Sequence, residues 1–152
     1  MAFETNAGAT FGVSAAAPAT YNEAGYEALT FTSVTAAAIL SYNGPQPEWD
    51  VATDDSYNTA SKADLKTSRK LGDAEITLKY DIASTGFNGI IETAEASKTA
   101  VLSLQFAKGN AVDFVWYTAQ VKKATVVEGG ANDFETYEIS FNVQTDKVVG
   151  TA

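Results

Sequence analysis

Strict alternation of apolar and polar residues recurs along this chain, and no other feature limits its fold as tightly. From Ala74 to Tyr80, the side chains of Ala74, Ile76, Leu78 and Tyr80 point one way, and Glu75, Thr77 and Lys79 the other. From Phe134 to Thr145 the period returns, with Tyr137, Ile139, Phe141 and Val143 against Thr136, Glu138, Ser140, Asn142 and Gln144. Leu102, Leu104 and Phe106 alternate in the same way with Val101, Ser103 and Gln105. A period of two belongs to a strand with one face in a core and one face wet. One helical stripe interrupts the pattern: Phe87, Ile90, Ile91 and Ala94 recur at i, i+3, i+4 and i+7. A helix is therefore expected over Thr85 to Ala96, with the hydroxyl of Ser84 or Thr85 as its cap. Gly86 and Gly89 cost it about 1 kcal/mol each relative to alanine, so packing must hold it. The pattern predicts a mainly β domain with one flanking α-helix and a long loop between its early strands.

The remaining segments extend this reading. Lys108-Gly109-Asn110 is a tight hairpin signal, and the strand it opens runs from Ala111 to Gln120. Val112, Phe114 and Trp116 lie on one face of that strand, Val115 and Tyr117 on the other. Both faces are expected to be buried, by the core, by the helix or by another subunit. Val121 to Glu128 continues the strand after a bend near Lys122-Lys123, and Gly129 to Asp133 makes the next turn. Leu29, Phe31, Val34 and Ile39 suggest two short early strands. Residues 1–25, rich in Ala, Thr, Gly and Ser, read as a flexible N-terminal arm or as an arm ordered by a neighbour. Within it only Thr10 to Ser14 has strand character. Residues 26–150 then form a single domain, closed by Val148-Val149-Gly150.

Composition removes most catalytic chemistry. The 152 residues are 45% hydrophobic, enough for one core. There is no cysteine, hence no disulfide, thiol nucleophile or thiolate metal site. There is no histidine, the commonest general base and transition-metal ligand. The net charge of −9 disfavours coating of DNA by the outer surface. No basic region precedes an apolar run at the N-terminus, and no apolar segment approaches the ~20 residues of a membrane span. Synthesis in the cytosol is expected, with no cofactor, no metal and no membrane partner.

Tyr42 to Lys70 is too long for an ordinary connection and reads as a functional loop. Glu48, Asp50, Asp54 and Asp55 make its acidic half, with a possible strand at Trp49-Asp50-Val51. Lys62, Lys66, Arg69 and Lys70 make its basic half, and a helical turn is possible around Ala63 to Lys66. The carboxylates lack the spacing and the glycine of a calcium loop, and no two of them are paired as a glycosidase requires. The basic cluster can meet phosphate, but beside an acidic run it better suits a charge match. A match between copies of the same chain is expected, with pairing inside one copy as the alternative.

The order of these pieces resembles the major tail tube proteins of long-tailed, non-contractile phages and of related gene transfer agents. The resemblance covers about Tyr26 to Gly150. Trp49-Asp50-Val51-Ala52-Thr53-Asp54-Asp55 is similar to the family's acidic stretch. A polar loop with Lys and Arg, Leu71-Gly72-Asp73, the strand to Tyr80-Asp81, the short helix, a hairpin and two closing strands follow in the family's order. Two departures are visible: no immunoglobulin-like domain follows Gly150, and Ala36 to Gly44 only loosely matches the family's Gly-rich segment. The resemblance implies a β-sandwich with a flanking helix, assembled as homohexameric rings stacked into a tube in the virion tail. It implies assembly in the host cytoplasm, tail tip and terminator proteins as partners, no chemistry, and DNA passing through the lumen without specific binding. About four strands from each of six copies, at ~4.8 Å spacing and ~40° tilt, close a barrel roughly 48 Å across its backbone. The alternatives are a terminator or connector of the same fold forming one ring, and a monomeric sugar- or protein-binding module using Trp49, Trp116 or Tyr117.

Overall fold

The computed structural model of the chain describes residues 8–34, 38–54, 63–81, 83–109, 113–130 and 134–151. The expected strands are present: β6 (Asp73–Lys79), β7 (Leu102–Ala107), β8 (Asp113–Val127) and β9 (Thr136–Val143). Before them come β1 (Thr10–Ser14), β2 (Thr32–Val34), β3 (Ile39–Asn43) and the pair β4 (Glu48–Asp54) and β5 (Ala63–Lys70). After them comes β10 (Val148–Thr151). The main sheet is antiparallel throughout, in the order β2-β1-β7-β8-β9-β6-β3, with β10 added to β8. The protein is mainly β, with a sandwich-like or barrel-like fold.

Register follows the alternation. Ala74, Ile76 and Leu78 stand opposite Phe141, Ile139 and Tyr137, so both apolar sets share one face, and all six are buried. Phe11 and Val13 face Phe106 and Leu104 in the same way. At the bend expected near Lys122 the ladder slips by one residue between Val121 and Lys123. Such a bulge increases local twist. There Lys122 reaches the Asp73 carboxylate at 3.0 Å.

The sheet curls until its two ends meet. The Phe11 ring on β1 lies 5.8 Å from Tyr42 on β3 and 6.0 Å from Phe141 on β9. Tyr42 stacks on Phe106 of β7 at 4.2 Å, and its hydroxyl meets that of Tyr117 at 2.9 Å. The helix α2 (Thr85–Glu95) packs against β8, β1 and β2 with Phe87, Ile91 and Ala94 buried. It starts at Ser84 without a side-chain cap; the Ser84 hydroxyl turns to Asp81 instead. Among the described residues no helix is long and apolar enough to cross a membrane.

Three expectations change. Part of the expected N-terminal arm is inside the fold: β1 lies between β2 and β7, with Phe11 and Val13 fully buried. A second helix, α1 (Glu23–Glu27), follows it, capped by the Asn22 side chain, which accepts from the Gly25 N–H at 2.9 Å. This helix also answers what buries the second face of β8. Trp116, on the face opposite Tyr117, stacks on Tyr26 of α1 at 6.1 Å and on Phe114 at 5.6 Å. Its indole N–H donates to Gln105. The apolar second face near Trp116 is therefore covered within the chain, not left for a partner. Gly150 of β10 permits this closeness, because a Cβ there would lie 2.6 Å from Glu23 and 2.7 Å from Trp116.

Two outcomes are expected. Phe11→Ala should destabilise the fold by about 3–5 kcal/mol, measured by urea unfolding, since it empties the contact between the sheet's ends. If β1 were a detachable arm, the loss would be near zero. Burial pushes the Tyr42 phenol up to about 12, and burial, with the neighbouring Tyr42 beside it, raises the Tyr117 phenol well above its ordinary value. A phenol whose folded value stands above its unfolded value of about 10 leaves stability intact below that pH. The contribution is lost as pH rises through the folded value. Stability should therefore fall between pH 10 and about 12, and Tyr42→Phe should flatten that fall in urea titrations.

Candidate assembly interface

The stretch expected as a long loop is a hairpin standing apart from the main sheet. β4 and β5 pair only with each other among the described residues, and β5 replaces the helical turn considered around Ala63 to Lys66. Prolines 45 and 47 lead in, each without an amide donor to offer a neighbouring ladder. Gly72 closes the base at φ 79°, where a Cβ would lie 2.5 Å from the Gln46 carbonyl oxygen. The hairpin's two legs thus touch at their root. A lone two-stranded sheet is at best marginally stable in water, yet this one exposes Trp49 (46%), Val51 (59%) and Leu65 (57%).

The charged halves meet within this hairpin. Glu48 stands opposite Lys70, and Lys70 Nζ reaches Asp50 at 3.4 Å. Arg69 stands opposite Trp49, and its guanidinium donates to Asp146 in the turn between β9 and β10. Asp146 was not a candidate, being 77 positions away in the chain. Lys66 stands opposite Val51, with Nζ 5.6 Å from the centre of the Trp49 ring. Asp54 is opposite Ala63 at the far end. Asp55 and Lys62 lie outside the described residues. The charge match is thus partly intramolecular, because an antiparallel return brings the two halves of one loop side by side before any second copy arrives. Among the described residues no group of three or more acidic side chains is placed to hold a metal ion.

Open sheet edges are the other surface the fold leaves unfinished. β2 and β3 end the main sheet, and β7 accompanies β8 only from Phe114 to Ala119. Beyond Ala119 that side of β8 has no ladder partner among the described residues, and Val126 and Val127 are exposed. Unpaired edges accept further strands.

No protein-family model matches the chain, and no curated protein matches it in sequence. Solved structures match it in fold. A chain of the anti-feeding prophage baseplate, 6-fold symmetrised, aligns with a TM-score of 0.62 at 9% identity, covering 98% of this chain and 96% of that one. A chain from the sheath/tube terminator of an extracellular contractile injection system in its extended state aligns at 0.62 and 11% identity, covering 91% of each. A chain from the tail of an empty gene transfer agent particle, with C6 symmetry, aligns at 0.51 and 14% identity, covering 80% and 87%. At these identities the likeness is one of fold, and the fold is that of chains found in phage-tail-like particles.

Exposed ion pairs contribute about 0–1 kcal/mol. Lys70→Ala, which removes the Asp50 contact, should therefore shift the thermal midpoint of the isolated protein by no more than a few degrees. A large loss of stability would mean that Lys70 carries a role in the fold beyond the exposed pair.

Proposed function

We propose that this chain is a structural, non-enzymatic component of a phage-tail-like particle, forming hexameric rings that stack into the tail tube. The observation that carries the reading is the fold likeness, over most of the chain, to components of such particles, one of them a tail with C6 symmetry. Neighbours from contractile systems stand beside those from gene transfer agents, so the reading does not depend on a non-contractile tail. The exposed hairpin and open edges support it, since closing a ring covers edges that a monomer leaves unpaired. In this reading the protein's partners are further copies of itself and the tail tip and terminator proteins, and it is assembled in the host cytoplasm. DNA crosses the lumen without specific binding, in keeping with the net charge of −9.

The interface residues in this reading are Glu48, Asp50, Asp54, Lys66, Arg69 and Lys70 of the hairpin, together with Asp55 and Lys62, which lie outside the described residues. Charges repeated around a ring set register by penalising wrong pairings more than by adding affinity. A second reading, a terminator forming one ring, is favoured by the match to the sheath/tube terminator structure.

Size-exclusion chromatography and negative-stain microscopy of the purified protein, alone and with tail-tip proteins, separate the readings. Stacked hexameric tubes are expected; single rings would favour the terminator, and a persistent monomer would overturn both. The triple variant Lys66→Glu, Arg69→Glu, Lys70→Glu should remain folded and form no tubes. Tubes of normal length from it would remove these charges from the interface.

A further inference from the structure

Between α2 and β7 runs an open apolar groove of about 480 Å3, lined among others by Gly86, Gly89, Ile90, Ala94, Ala100 and Leu102. Two of these are glycines inside a helix, where glycine is unfavourable. A Cβ on Gly89 would meet nothing within 4 Å, and one on Gly86 only the Thr32 methyl at 3.7 Å. Neither has a positive φ. Neither the backbone nor the packing of this chain requires them, and what they do is keep the groove open down to the helix backbone. The same helix has Glu92 and Glu95 in its last turn with no basic residue beside them. Among the described residues neither forms an ion pair. Negative charge at the negative end of a helix dipole is unfavourable, and a cation from outside would relieve it.

The hairpin carries the complementary set. Trp49 and Val51 are large, apolar and exposed. Lys66 sits over the Trp49 ring and, among the described residues, has no carboxylate partner. Bulky apolar groups with a cation thus stand on one part of the fold, and on another an apolar groove beside a helix whose last turn is acidic. We infer that the hairpin of one copy seats Trp49 and Val51 in the α2–β7 groove of a second copy, with Lys66 directed to the acidic end of α2. The inference rests on the self-assembly proposed above and names the receiving surface for it. A projection and a groove at different places on one chain make a heterologous contact, which propagates into rings or filaments instead of closing as a two-fold dimer.

The absence of cysteine makes the test direct. Val51→Cys and Gly89→Cys are made as separate proteins, one carrying a mass tag, then mixed, assembled and oxidised. A disulfide-linked heterodimer in the assembled fraction is expected. Gly89→Leu fills the groove where the fold has room, so its thermal midpoint should hold or rise while assembly drops at least tenfold. If wild type assembles, the cysteines do not cross-link and Gly89→Leu assembles normally, the groove is not the receiving surface and the self-assembly reading survives. If Gly89→Leu fails to fold, the cross-link alone decides. A wild type that stays monomeric even with tail-tip proteins sinks the inference and the reading together.

Discussion

A single antiparallel sheet acquires an interior only if something holds its two ends together, and here Phe11 and Tyr42 do so. Phe11 enters from β1, Tyr42 from β3, at nearly opposite ends of the strand order. Phe11 also touches Phe141 and Phe87, while Tyr42 stacks on Phe106 and bonds Tyr117. The curl, the seat of α2 and the burial of β9 all depend on this aromatic junction. The Tyr42 and Tyr117 hydroxyls share one hydrogen bond inside it, which offsets part of the cost of taking them out of water.

Outside the core a thinner layer is laid over β8. There α1 and β10 clasp Trp116, and Gly150 lets the strand and helix approach closely. The body of the molecule is therefore finished on that side by its own chain. What stays unfinished is the hairpin and the strand edges, and these have a common character: among the described residues no strand pairs with their outer backbone groups and their large apolar side chains are exposed.

The sequence was legible wherever structure is decided by residues close together. The strands around Ile76 and Phe141 bury one face each, so their period survives as an alternating pattern, and α2 shows its stripe for the same reason. Thr10 to Ser14 could be read as a strand, but its place in the core could not, because its Ala, Thr and Gly neighbours resemble an arm and its burial depends on Phe106, far along the chain. α1 spans only five residues and is secured by a ring on a distant strand. From Leu65 to Lys70 every residue of β5 is exposed, so no period marks it as a strand. At the hairpin the two charged halves could be read, but whether they pair inside one copy depends on a register that composition does not encode. The Arg69–Asp146 contact was invisible on the same ground.

The pairing of β1 with β7 also sets a schedule. Thr10 stands opposite Ala107, so nearly a hundred residues must follow the first strand before the edge that joins it to the rest of the sheet exists; until then only β2 can pair with it. At roughly 5–20 residues per second, that is on the order of 5 to 20 seconds of translation. Throughout that interval Phe11, the residue on which the curl turns, is in the nascent chain without its place in the fold.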